Sequence, residues 1–371
     1  MNEMRYFPRE KLATLIAAIK EAGYRVIGPR VEPGQGGLVY CEIAGAEDLP
    51  QGLSDEQSPG RYRLVPNGSK RYFAWANTAS AIKPYVFMPR ERLWSVVRKE
   101  GRLHFEPTHG QAEKTAIIGA RACDLAALAL QDAHFLRGKY VDTYYRARRE
   151  KLLLVAVNCS HAASTCFCAS TGDGPEVSGG YDILLDELDE GFIVRVGSSR
   201  GAMLMTDFPT TAATTEQIAL ACAQGETCRT AQTRRLPDEH LLPRLMQNLE
   251  SPIWDDIAER CLACGNCTAV CPSCFCHREF DNPALNGKTT EHWRDADSCF
   301  SEDHSYLVGE VVREHTRARY RQWMTHKLAT WVEQYGRTGC TGCGRCTTWC
   351  PAGIDFALEA NRLLADEEGA R

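Results

Sequence analysis

A mixed α/β domain followed by a smaller, helix-rich domain is the fold class that this sequence predicts. Three observations carry the prediction. Between residues 115 and 159, two apolar runs of strand length flank a run with helical spacing. Two nearly identical cysteine combs, CLACGNCTAVCP from Cys261 to Pro272 and CTGCGRCTTWCP from Cys340 to Pro351, occupy the last third of the chain. Between the combs lies an insert longer than a tight hairpin needs, with apolar residues near helical spacing.

Taken in order, Arg9 to Ala22 alternate apolar and charged positions as a helix does, and RVIGP then predicts a short strand. Segment 46–80 is rich in Gly, Pro, Ser and Asn and predicts a long surface excursion before a strand candidate, Tyr85 to Pro89. TAIIGA (Thr115 to Ala120) reads as a buried strand, Cys123 to Phe135 as a helix, and Leu152 to Cys159 as a second strand. A right-handed crossover makes those strands parallel, a βαβ unit. YDILLDELD and FIVRVGSS, separated by Glu190 and Gly191, predict a hairpin. Helices over Thr215 to Ala223 and Asp238 to Leu249 lead into the first comb, with a domain boundary near 235 that divides residues 1–235 from 236–371. In the insert, Leu307, Val311, Val312, Tyr320, Trp323, Leu328 and Trp331 predict helix from His304 to Tyr335, and Arg313, Arg317, Arg319, Arg321 and Lys327 form its solvated face.

Composition narrows the function classes. A balance of 43 basic against 48 acidic residues, a formal charge of −5, offers no footprint for nucleic acid or an anionic membrane. Its 18 cysteines follow a start, MNEMRYFPREK, with no apolar signal segment, so they are expected as metal ligands in a reducing, cytoplasmic setting. The longest apolar stretch, Leu152 to Val157, is too short to span a bilayer, and Arg148-Arg149 lies inside the chain rather than before an export signal. No G-x-G-x-x-G follows a strand, so no flavin or NAD site is evident in this chain. Walker loops, nucleophile elbows and paired His-Glu helices are absent too, and His109, His134 and His161 are expected as surface or satisfied residues.

Each comb has the spacing C-x2-C-x2-C-x3-C-P. In that spacing three thiolates wrap one face of a cubane and the fourth reaches a different cluster. Two [4Fe-4S] clusters follow, one bound by Cys261, Cys264, Cys267 and Cys350, the other by Cys340, Cys343, Cys346 and Cys271. Zinc is the rival, since paired C-x2-C knuckles also close tetrahedral sites, but it would leave cysteines over. Gly265 and Gly344 follow the second cysteine of each comb, where a small residue lets amides approach sulfur; Pro272 and Pro351 redirect the chain after the fourth.

A possible third set lies earlier. Cys123 begins a helix after the first parallel strand and Cys159 ends the second, so both fall at one sheet edge, where sites of doubly wound folds collect. Cys166 and Cys168 follow in the next loop. The four thiolates suit a third cluster, with small thiols packed in a core as the alternative. Arg121 and Asp124 beside them fit an ion pair or a helix cap as well as an acid-base pair. Cys274, Cys276 and Cys299 would need a ligand such as His277 or His304 to bind a cluster, and are otherwise structural thiols or hydrogen-bond partners. Cys41, Cys222 and Cys228 have no companions in the sequence.

The run RACDLAALALQDAHF with YYRARRE, then NC followed by CFCASTGDGP, GGYDILL and VGSSRG, and finally GCTGCGRCTTWCPAGID, resembles the beta subunit of cytoplasmic nickel-iron hydrogenases of the sulfhydrogenase type. The iron–sulfur subunit of anaerobic sulfite reductase is a more distant likeness. The resemblance covers most of the chain from about residue 80 and implies an accessory electron-transfer subunit, not catalytic alone. It would relay electrons between a flavin-containing, NAD(P)-reacting subunit on one side and the hydrogenase small and large subunits on the other. It also implies cluster cysteines at Cys123, Cys159, Cys166 and Cys168. Two other readings stay open: a relay feeding a sulfite or sulfur reductase, and a zinc-stabilised interaction protein.

Overall fold

A computed structural model describes residues 4–369 except 33, 35 and 109–111; His109 lies outside the described residues. In chain order the strands are β1 (Arg5–Pro8), β2 (Arg25–Val31), β3 (Leu38–Glu42), β4 (Leu53–Ser58), β5 (Arg61–Pro66), β6 (Arg90–Lys99) and β7 (Arg102–Pro107). They continue with β8 (Thr115–Ala120), β9 (Leu152–Val157), β10 (Ile183–Glu187), β11 (Gly191–Val196), β12 (Thr211–Ala212), β13 (His277–Pro283) and β14 (Thr289–Ala296). A mixed eight-stranded sheet has the order β12-β1-β11-β10-β9-β8-β2-β3. Its centre is parallel: β8 pairs with β9, β9 with β10 and β2 with β8 in that sense, while β10 and β11 pair antiparallel across a short turn.

The strand sequences explain this centre. Every residue of β9 is buried, because helices and loops cover both faces and neither face needs polar residues. Successive side chains still alternate. Leu153, Val155 and Val157 join a core with Phe7, Leu15, Ile16 and Trp75, whereas Leu152, Leu154 and Ala156 join one with Leu125, Leu128, Phe135 and Tyr145. Each buried Leu or Val contributes about 1.5–3 kcal/mol, so this strand is a principal anchor of the sheet. The helix Ala122–Leu136 starts at the carboxyl end of β8 and is closed by a capping box in which Asp124 accepts from the Arg121 N–H.

Segment 46–80 is not a surface excursion. β4 and β5 form a hairpin, and Phe73 and Trp75 are fully buried, with Asn77 and Thr78 only 2% and 1% exposed. Its composition resembles a loop because its polar groups are satisfied inside the protein: the Asp55 carboxylate accepts from the Ala76 N–H, and Thr348 and Thr165 donate to Gln57 Oε1. Nor is Tyr85–Pro89 a strand. Lys83–Val86 is a helical turn with Pro84 in its first turn, where a missing N–H costs nothing, and β6 starts only at Arg90.

The insert also departs from a single helix over His304–Tyr335. Its first part is the β13–β14 hairpin, which pairs through β14 with β6 in a sheet ordered β13-β14-β6-β7, so residues from both sides of 235 share one sheet. Two short strands at Tyr306–Leu307 and Glu310–Val311 follow, and helix begins only at Thr316. It runs to Thr325, passes through a π turn at His326–Thr330, and ends at Tyr335. The supposed solvated face is half wrong. Arg319 is 6% exposed and donates to the carbonyls of Arg313, Phe300 and Glu314; Lys327 is 4% exposed. Asp238–Leu249 contains a tighter 3-10 stretch, Glu239–Met246, since Pro243 cannot supply the amide of an α-helix. Trp254, Tyr320, Trp323, Phe356 and Leu363 centre the core around which the combs fold.

Candidate metal centres

The first comb begins where the helix Ile253–Arg260 ends at Cys261. Ala263 and Gly265 then take positive φ of 50° and 75°, turning the chain so that the Ala263 N–H reaches the Cys261 sulfur at 3.4 Å. Cys261, Cys264, Cys267 and Cys350 line one apolar cavity with Phe300, Tyr320, Trp323 and Phe356. Cys350, the last cysteine of the second comb, is thus beside the first three, and it accepts from the Ile354 N–H at 3.4 Å. Burial pushes the Cys261 and Cys267 thiols up, and the neighbouring Cys350 and Cys264 sulfurs add to the effect at both.

The second comb is deeper. Burial raises Cys340 to about 12 against the pull of the Gly342 N–H, which donates to its sulfur at 3.5 Å, and Cys343 and Cys271 raise it further. Cys346 is raised by burial and then by Cys340, Cys343 and Cys271. The fourth cysteine of the first comb is therefore grouped with the first three of the second. Among the described residues, no three His, Cys, Asp or Glu side chains converge as one metal ion requires. Each set consists of four sulfurs without carboxylate or imidazole, with amides directed at sulfur, and this donor set fits a thiolate-bound iron–sulfur cluster. Bound there, such a cluster supplies one-electron transfer; the protein supplies burial, amide donors and fixed charge that set its potential.

The sheet edge lies against this second comb. Cys123, Cys168 and Cys343 pack in one buried contact. Cys166 packs on Ala76 and Ala163, and Asn77 Nδ2 reaches both its sulfur, at 3.7 Å, and the Cys343 carbonyl, at 2.8 Å. Cys166 is raised by burial, then by Cys168 and Cys159, which places Cys159 in the same neighbourhood. Glycine makes the approach feasible: at φ +62° a Cβ on Gly342 would stand 2.5 Å from Cys168 Cα, and one on Gly344 would overlap the Thr165 carbonyl. The Phe167 N–H closes the contact by donating to the Gly342 carbonyl at 2.8 Å.

Three cations lie against these sulfurs, and the sequence did not single out two of them as site residues. Arg345, 1% exposed, pairs with Asp124 at 2.8 Å and donates to the Thr78 carbonyl at 2.5 Å. Burial opposes its charge, but Asp124, Cys343 and Cys123 together raise its pKa. Lys327 donates to Ser273 Oγ at 3.0 Å and the Gly339 carbonyl at 3.3 Å, and Ser273 Oγ is 3.4 Å from the Cys271 sulfur. Lys83 donates to the carbonyls of Thr268, Ala269 and Cys271 at 3.3, 2.8 and 2.8 Å. A lysine on a charged helix carries no sequence signal for such a role; only the π turn turns Lys327 inward.

The remaining candidates separate cleanly. Cys274 contacts Cys271, and Cys276 contacts Cys299 and His304. Cys222 is exposed, Cys228 is buried and Cys41 is half-buried. His134 stacks on Phe275 and bonds the Tyr335 hydroxyl at 2.7 Å, while His161 bonds the Asp55 carbonyl at 2.9 Å, so both are satisfied.

Comparison with known proteins agrees with this geometry. Residues 260–354 match a family described as a 4Fe-4S dicluster domain, which sets the zinc reading aside. The chain is 30% identical over 298 residues to the sulfhydrogenase 2 subunit beta of Pyrococcus furiosus, covering 80% of this chain and 86% of that protein. Among the described residues no helix is long and apolar enough to cross a membrane. The chain belongs to the family of hydrogenase beta subunits, iron–sulfur proteins that carry electrons through 4Fe-4S centres.

Proposed function

We propose that the chain is a relay of three [4Fe-4S] clusters: one on Cys261, Cys264, Cys267 and Cys350, one on Cys340, Cys343, Cys346 and Cys271, and one on Cys123, Cys159, Cys166 and Cys168. It passes single electrons between a subunit that binds flavin and NAD(P) and the small and large subunits of a nickel-iron hydrogenase, in the cytoplasm. The division at 235 belongs to the same reading, with residues 1–235 as an α/β domain built on a parallel βαβ unit and 236–371 as a ferredoxin-like dicluster domain.

The observation that supports it most is the buried contact of Cys343 with Cys123 and Cys168. Adjacent thiolate sets make adjacent carriers, and a chain of carriers without substrate machinery is a conduit. Cys350→Ser should damage the cluster nucleated by Cys261, Cys264 and Cys267, resolved by electron paramagnetic resonance. A Cys166/Cys168 double replacement should remove about four irons per chain, one cubane. Damage confined to the Cys340 cluster in the first variant, or unchanged iron in the second, would refute the respective assignment.

A further inference from the structure

Three cysteines stand outside the proposed ligand sets, and two of them meet. Cys276 lies where the chain leaves the first comb and enters β13. The base of the β13–β14 hairpin fixes what faces it: the Asp297 N–H donates to the Cys276 carbonyl at 2.9 Å, which folds the turn carrying Cys299 back over Cys276. The two thiols hydrogen-bond to each other. His304, in the helical turn Asp303–Ser305, bonds the Cys276 sulfur as well, and its Nδ1 stands 3.6 Å from Asp297 Oδ2. Asp297 is held in turn by the Ser301 hydroxyl, which donates to Oδ1 at 2.7 Å. Carboxylate, imidazole and thiol in series, with a second thiol touching the first, is the arrangement of a nucleophilic cysteine with a resolving partner.

Electrostatics assigns the roles within the pair. The Cys299 and His304 hydrogen bonds pull Cys276 down, whereas its bond to Cys276 and burial push Cys299 up, so Cys276 holds the thiolate and Cys299 the proton. The pair is also reachable. Cys276 and Asp297 line a cleft of about 410 Å³ with Lys83, Ser298, Cys274 and Cys264, large enough for a small molecule. Cys264, a proposed cluster ligand, forms one wall.

We propose that Cys276 and Cys299 are a redox-active dithiol that reduces small disulfides with electrons from the iron–sulfur relay. The Cys276 thiolate attacks one sulfur of R–S–S–R, which breaks that bond, forms a mixed disulfide on Cys276 and releases RS⁻. Cys299 passes its proton to His304 and attacks the Cys276 sulfur, which releases the second RS⁻ and leaves a Cys276–Cys299 disulfide. Two electrons, arriving singly, and the proton on His304 restore thiolate and thiol. With both released thiolates protonated by water the sum is RSSR + 2e⁻ + 2H⁺ → 2RSH. The step rests on the relay reading for its electrons.

The test uses the full chain, purified anaerobically with its clusters, photoreduced, and mixed with hydroxyethyl disulfide. Cluster reoxidation is followed by visible absorbance and thiol release by titration. Wild type should reoxidise with two electrons consumed per disulfide. Cys276→Ser should slow the reaction at least about tenfold, because the attacking thiolate is gone. Cys299→Ser should stop at a mixed disulfide on Cys276, visible by mass spectrometry. Cys222→Ser, at an exposed thiol, should change nothing, and iron content should match wild type in all three. Retained rate in Cys276→Ser, iron lost from it, or cluster-loaded wild type that leaves the disulfide intact would each overturn the proposal. Wild type that assembles no clusters would instead overturn the relay reading.

Discussion

At the scale of single residues, Lys327 is the most informative side chain. An ammonium group that is 4% exposed needs a counter-charge, and among the described residues no carboxylate pairs with it. What surrounds it is Ser273 Oγ, the Gly339 carbonyl, the Trp331 ring at 5.2 Å and the Cys271 sulfur reached through Ser273. Burial opposes its charge, yet Cys271, Cys274 and Cys340 raise its pKa. Its charge is therefore balanced by the sulfurs of the second comb, and it stabilises the reduced, more negative state of whatever they hold. Lys327→Met keeps the stem and removes the charge. At about 1.5–3 kcal/mol for a charged hydrogen bond, the midpoint potential of that cluster should fall by roughly 60–130 mV for a one-electron couple. The first-comb cluster should move far less, which an anaerobic redox titration followed by electron paramagnetic resonance can resolve.

At the scale of elements, the second comb and the loop 165–168 are held together by glycines, and two glycines of one sequence region differ sharply. Gly342 and Gly336 both have positive φ, at 62° and 73°. A side chain at Gly342 also meets the Cys168 backbone at 2.5 Å, whereas one at Gly336 meets nothing within 4 Å. Gly336→Ala should thus cost only about 1 kcal/mol for its backbone conformation. Gly342→Ala should add the collision to about 1–3 kcal/mol of strain, because backbone cannot yield as a flexible side chain does. Thermal unfolding and bound iron should both fall for Gly342→Ala while Gly336→Ala stays near wild type. Elements of this kind also mark where the sequence was legible. β9 could be recognised because burial on both faces writes itself as an unbroken apolar run, and the combs because ligand spacing is local. Trp75 and Asn77 could not, since a loop-like composition becomes core only when a distant comb covers it. Arg319 and Lys327 misled for the converse reason: their charges are balanced by carbonyls and sulfurs remote in sequence, which helical periodicity cannot register.

At the scale of the whole molecule, the two halves are joined by charge as well as by the shared β13-β14-β6-β7 sheet. Arg345 from the second comb and Asp124 from the helix after β8 pair at 2.8 Å with side chains 1% and 2% exposed. A buried pair of this sort adds little relative to an apolar replacement, but removing one partner leaves a charge stranded in low dielectric and costs about 3–5 kcal/mol. Arg345 also bonds the Cys343 sulfur, so a cluster there would offset part of that cost. Asp124→Asn should therefore destabilise the iron-free chain by about that amount and the cluster-loaded chain by less. The exposed Arg25–Glu113 pair, with side chains 42% and 70% exposed, supplies the comparison: Glu113→Gln should change stability by no more than about 0.5 kcal/mol in either form. Because the shared sheet and the buried pair couple both halves, Asp124→Asn should lower a single cooperative transition followed by circular dichroism. Two separated transitions, with only one displaced, would show instead that the halves fold independently and that the Arg345–Asp124 pair does not bind them.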